Sequence, residues 1–102
     1  MARFKVEWSE RARRELLDIY DFIVESGNPL TALRYIDRIE RRCEEIGDHP
    51  YSGRAREEVR KGMRSIPFES VILLYTVADD TVTISNIIYG GRDYGTLLRD
   101  KD

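Results

Sequence analysis

The sequence is short of several things, and each shortage narrows the reading. It has one cysteine, Cys43, in 102 residues, so no intrachain disulfide can form and a reducing cytoplasm is the expected setting. It has one histidine, His49, and no grouping of His, Cys, Asp and Glu at metal-ligand spacing. Neither a metal nor another cofactor is expected. There is no glycine-rich phosphate loop and no nucleophile–base pair. Charge of one sign is not in excess: 17 Lys and Arg stand against 19 Asp and Glu, for a net charge of -2. A domain whose whole surface grips nucleic acid is usually strongly basic, which disfavours that class while leaving room for a local basic patch. No apolar run is long enough to span a membrane. Met1 to Lys5 leads into no apolar stretch, so no signal peptide is expected. Repeats and low-complexity segments are missing too. The length suits one domain, residues 1–102, around one core.

What is present centres on residues 62–93. Val71 to Val77 is apolar on both alternating faces, as in a strand covered on both sides. Ala78, Asp79, Asp80 and Thr81 make a polar turn, and the β-branched run from Val82 to Tyr89 returns. Gly90 and Gly91 stop it. The pattern predicts a three-stranded antiparallel meander with strands over 59–67, 70–78 and 81–89.

Upstream, Phe4, Val6 and Trp8 alternate with charged residues and predict a half-buried strand over 3–8. Ser9 is a helix cap. Ala12, Leu16, Ile19, Tyr20 and Ile23 recur at helical spacing, predicting a helix over 9–26 that ends at Ser26 and Gly27. Asn28 caps a second helix over 29–46, with Pro29 at its first position. Its stripe is Ala32, Leu33, Ile36, Ile39, Cys43 and Ile46, and Gly47 closes it. So short a connection makes an antiparallel hairpin. Residues 48–60 read as a polar connection, and 94–102 as a tail that is polar except for Leu97 and Leu98. The expected architecture is α+β in two layers: N-terminal strand, antiparallel helix hairpin, three-stranded meander. One helical layer covers one sheet face. The central strand sends Val71, Leu73 and Tyr75 one way and Ile72 and Leu74 the other. Either an apolar patch remains for a partner, or Leu97, Leu98 and the long connection fold over the second face.

The ordered landmarks carry a resemblance. They are Asn28-Pro29, the helix from Tyr35 to Cys43, Pro50-Tyr51-Ser52-Gly53-Arg54, Gly62-Met63-Arg64, the strand ending near Tyr75, and Ile87-Ile88-Tyr89-Gly90-Gly91-Arg92-Asp93. This set resembles the RelE/ParE superfamily of type II toxin–antitoxin toxins, over about Val6 to Asp93. The long hairpin hinged at Asn-Pro is more similar to the ParE branch. The closing motif resembles His-Gly-x-Arg-Asp with Tyr89 in place of the histidine, and Val71 stands where many relatives carry tyrosine. The resemblance implies a toxin that inhibits DNA gyrase, meets nucleic acid only indirectly, and is neutralised by a small ParD-like antitoxin. It marks Arg64 and Arg92 as functional positions.

Two other function classes stay open. One is a ribosome-dependent mRNA endonuclease of the RelE kind, and the other a degenerate member that only binds its antitoxin. Cleavage through a 2′-OH needs a base, an acid and cations around the phosphate. Arg64, Arg92 and Tyr89 are the candidates, with Arg54, Arg60, Lys61 and Tyr94 nearby. No residue is an evident base, and His49 reads as a solvated loop residue. Each candidate also has a plain structural reading. Tyr89 packs at a strand end, Arg64 and Arg92 pair with Glu69 or Asp93, and Arg54 anchors a loop. Cys43 sits in the core. For partner binding the candidates are Val71, Leu73, Tyr75, Arg54, Arg64 and Arg92.

Overall fold

The computed structural model describes residues 3–90. Its elements run β1 (Lys5–Trp8), α1 (Glu10–Glu25), α2 (Pro29–Ile46), β2 (Arg54–Ala55), β3 (Met63–Phe68), β4 (Val71–Ala78) and β5 (Thr81–Tyr89). The fold is α+β, as the periodicities predict. The five strands form one sheet in the order β1-β5-β4-β3-β2. β3, β4 and β5 are the antiparallel meander, and β1 joins β5 in parallel, Lys5 opposite Thr81 and Trp8 opposite Ile84.

Local chemistry explains the element ends. The Ser9 hydroxyl accepts from the Ala12 N–H at 3.0 Å, and Asn28 Oδ1 accepts from Leu30 and Thr31 at 3.0 and 3.2 Å, satisfying N–H groups that a helix start leaves free. Gly27 takes φ 119°, which lets the chain leave α1 and enter α2 at once. Gly47 closes α2 for a different reason. Its φ is -61°, but a Cβ there would lie 2.6 Å from the Phe4 carbonyl oxygen and 2.9 Å from Val6 Cγ2. The glycine lets β1 run against the helix end, where the Phe4 N–H donates to the Gly47 carbonyl at 2.8 Å. The β4–β5 turn holds Asp79 and Asp80 at φ 50° and 61°; two left-handed residues match the twist of a tight hairpin.

The hairpin lies on one sheet face. Ala12, Leu16 and Ile19 from α1 and Tyr35, Ile39, Cys43 and Ile46 from α2 pack on Ile66, Val71, Leu73, Tyr75, Val82, Ile84 and Ile87. Burial of each large aliphatic side chain contributes roughly 1.5–3 kcal/mol. Val71, Leu73 and Tyr75, expected as partner-binding residues, are at most 1% exposed. They belong to the core, because their face of β4 is the one the hairpin covers.

The second sheet face carries a smaller cluster of Met63, Leu74 and Ile88, with Val59 and Ile72 packed against it. Val59 is supplied by the long connection, so part of that face is covered from within. Leu97 and Leu98 lie outside the described residues. The connection also contains β2, which the sequence pattern does not predict. Strand β3 starts at Met63 and not near Val59, because residues 56–62 turn back: the Val59 N–H donates to Arg56 O, and the Arg56 N–H donates to Met63 O at 2.8 Å.

Candidate functional site

Tyr75 and Arg64 are neighbours across β4 and β3, and both hold the loop of residues 50–54. The buried Tyr75 hydroxyl donates to Pro50 O and accepts from the Gly53 N–H, each at 2.9 Å. Burial pushes this phenol above its ordinary value. Arg64 Nη1 donates to Tyr51 O at 3.0 Å and Gly53 O at 2.7 Å, and its guanidinium carbon lies 5.2 Å from the centre of the Tyr51 ring. A Cβ on Gly53 would come within 2.5 Å of the Tyr75 oxygen and 3.0 Å of Ser65 O. The glycine in Pro-Tyr-Ser-Gly-Arg is therefore required by close approach. Arg64 is a loop clamp here and makes no ion pair with Glu69. Glu69 pairs instead with Arg38, at 2.9 Å through both carboxylate oxygens. Those bonds hold the Glu69 carboxyl below its ordinary value.

The remaining candidates do not gather around Arg64. Tyr89 faces Val71 at the opposite end of β4 and packs edge-on against Phe22 and Tyr35, with ring centres 5.6 and 6.4 Å away. Four strand steps separate Val71 from Tyr75, roughly 13 Å at the usual rise, too far for Tyr89 and Arg64 to share one phosphate. Arg54 is exposed on the edge strand β2, and His49, Arg60 and Lys61 are exposed. Arg92 and Tyr94 lie outside the described residues. Cys43 is buried, and its thiol is pushed up to about 12, so it is unreactive at neutral pH. Among the described residues no cluster of potential metal ligands occurs, and no helix is long and apolar enough to cross a membrane.

Two features escape the sequence reading. The first is a bulge in β5, where the register shifts opposite Leu74 and Tyr75. The Ser9 hydroxyl donates to Ser85 O at 2.9 Å, and a Glu15 carboxylate oxygen accepts from the Ile87 N–H at 2.8 Å. Asn86 is 3% exposed; with its amide in the orientation that satisfies both ends, it donates to Ser85 O at 3.1 Å and accepts from Arg11 Nε at 3.3 Å. The signal lay in Glu15, an acid beside the apolar stripe of α1, and in Ser85-Asn86 interrupting an apolar strand. The second feature is an open groove of about 700 Å³ on the hairpin, lined by Val6 and Trp8 of β1, Arg13, Leu16, Leu17 and Tyr20 of α1, and Leu33, Ile36, Glu40 and Glu44 of α2. Leu17 is 62% and Leu33 55% exposed. Both residues sit beside the buried stripes, so the apolar arc of each helix is wider than one sheet face can cover.

This strand–hairpin–meander order has a counterpart in sequence. Residues 6–94 match the family described as ParE toxin of the type II toxin–antitoxin system parDE. The chain belongs to the ParE toxin family. No curated protein matches its sequence. Among solved structures it is similar to the chromosomal ParDE toxin–antitoxin system of P. aeruginosa, with a TM-score of 0.75 at 21% identity over 85% of this chain and 96% of that one. It is also similar to the RelBE2 toxin–antitoxin complex of Mycobacterium tuberculosis, with a TM-score of 0.60 at 20% identity over 86% and 99%. At these identities the likeness is one of fold alone. A protein of this family is one half of a toxin–antitoxin module, so its partner class is an antitoxin.

Proposed function

We propose that this ParE-type toxin acts in the cytoplasm as a protein-binding inhibitor of DNA gyrase, and that a small ParD-like antitoxin neutralises it by laying an amphipathic segment into the hairpin groove. The observation that carries the reading is the engagement of Arg64. Its guanidinium grips two loop carbonyls and the Tyr51 ring, while Tyr89 packs among aromatics at the other end of β4. Cleavage of RNA through the 2′-OH needs a base, an acid and cations converging on one phosphate, and the described residues assemble no such group. The exposed apolar surface supports a protein-recognition role, with a groove between two helices suited to a third.

Gyrase supercoiling and ribosomal cleavage assays on the same purified toxin test this. The expected result is loss of supercoiling with ribosome-bound mRNA left intact. Arg64→Ala and Arg92→Ala should raise the inhibitory concentration in a graded, salt-dependent way. Codon-phased cuts in ribosome-bound mRNA, lost on the order of 100-fold in either variant, would replace this reading with the endonuclease one.

A further inference from the structure

The groove is not uniform along its length. Antiparallel helices joined at Gly27 and Asn28 put residues distant from the turn side by side at the far end. Leu17, Tyr20 and Leu33 line the end near the turn. The end near β1 carries Arg13 on the α1 wall and Glu40 and Glu44 on the α2 wall. All three charged residues are exposed. Elsewhere on the hairpin, Arg14 pairs with Glu10, Arg41 with Asp37 and Arg42 with Glu45. Arg13 and Glu40 make no ion pair among the described residues, and the Glu44 carboxylate lies 3.6 Å from the half-exposed Arg3, whose guanidinium also donates to the Glu44 carbonyl.

Resting on the reading of the groove as the antitoxin's seat, we propose that these charges set which segment is accepted: an amphipathic partner helix with basic residues against Glu40 and Glu44 and an acidic residue against Arg13. Open to water, the two walls are screened from each other. An inserted apolar helix expels that water and leaves each wall charge needing a partner, since a desolvated charge without one is costly. Shape alone accepts any helix with apolar residues at i, i+3, i+4 and i+7. The walls reject those of the wrong charge, which is how specificity is commonly built.

The test uses purified toxin and two synthetic amphipathic peptides of about 18 residues, long enough for roughly five helical turns. Both carry the same leucine stripe; one is flanked by lysines and the other by glutamates. With two acids against one arginine, the toxin should bind the lysine-flanked peptide roughly 10-fold more tightly, by a margin that salt reduces. Glu40→Lys with Glu44→Lys should reverse the preference. Glu10→Lys with Asp37→Lys changes net charge equally but lies outside the groove, and should leave the order intact. Circular dichroism checks that both variants fold. Equal affinity for the two peptides, or reversal by the control variant, would overturn the proposal, as would self-association through the groove. None of these readouts involves gyrase, so the charge rule and the toxin's target fail or stand separately.

Discussion

Tyr75 has two roles in one side chain. Its ring fills the core beneath the hairpin, and its hydroxyl completes the loop that Arg64 also clamps. Tyr75→Phe keeps the ring but leaves the Pro50 carbonyl and Gly53 N–H without that partner. The expected loss is about 1–3 kcal/mol of stability, read by denaturant unfolding. The pH dependence has a definite sign. Burial raises the folded-state phenol above the unfolded value, so its contribution is whole below about pH 10 and is lost as pH rises through the folded pKa. Wild-type stability should therefore fall on the alkaline side more steeply than that of Tyr75→Phe. Equal slopes would mean that this phenol ionises alike in both states. The sequence offered Tyr75 as an alternating strand residue, a landmark of the resemblance and a partner-binding candidate, and not as a loop anchor. Its bond to a loop more than twenty positions upstream is a tertiary fact, and only the closeness of Gly53 hints at it.

Among the elements, the helices were legible because their determinants are local. Ser9, Asn28 and Pro29 mark the starts, and the apolar spacing marks the faces. Strand β2 was not legible. Two exposed residues, Arg54 and Ala55, have no periodicity of their own and are strand only because β3 lies alongside. The β5 bulge is similar, since its geometry depends on α1. Glu15→Ala should leave the buried Ile87 N–H unpartnered and cost about 1–3 kcal/mol, whereas Glu15→Gln keeps an acceptor and should recover much of it. Amide exchange at Ile87 would report the difference directly. Unchanged exchange in Glu15→Ala would show that Glu15 does not hold the bulge.

For the whole molecule, the alternative in which the connection folds over the second sheet face is met in part by Val59, and the exposed apolar surface lies on the hairpin. The sheet buries its second side partly through Val59, while Leu17, Phe22, Leu30 and Leu33 remain more than half exposed. The width of the helical stripes was visible in the sequence, but which part of each stripe meets the sheet depends on packing. Expressed alone, the toxin should aggregate readily. Binding of its antitoxin should raise the thermal midpoint by mass action and protect this face first. If Leu17→Glu with Leu33→Glu improved solubility without weakening antitoxin binding, the exposed face and the binding face would be different surfaces.

The parallel pairing of β1 with β5 also shapes how the chain comes to exist in the cell. Ser9 and Ser85 bond across 76 positions of sequence, so β1 waits for β5 before it has a strand to pair with. Such distant closure is slow, because chain entropy is surrendered before the stabilising contacts form. Val6 and Trp8, which floor one end of the groove, gain their strand partners only in that late pairing. A growing polypeptide therefore carries neither a finished toxin nor a finished seat for its inhibitor. Both arrive together, once β5 has been made, in a single folding event.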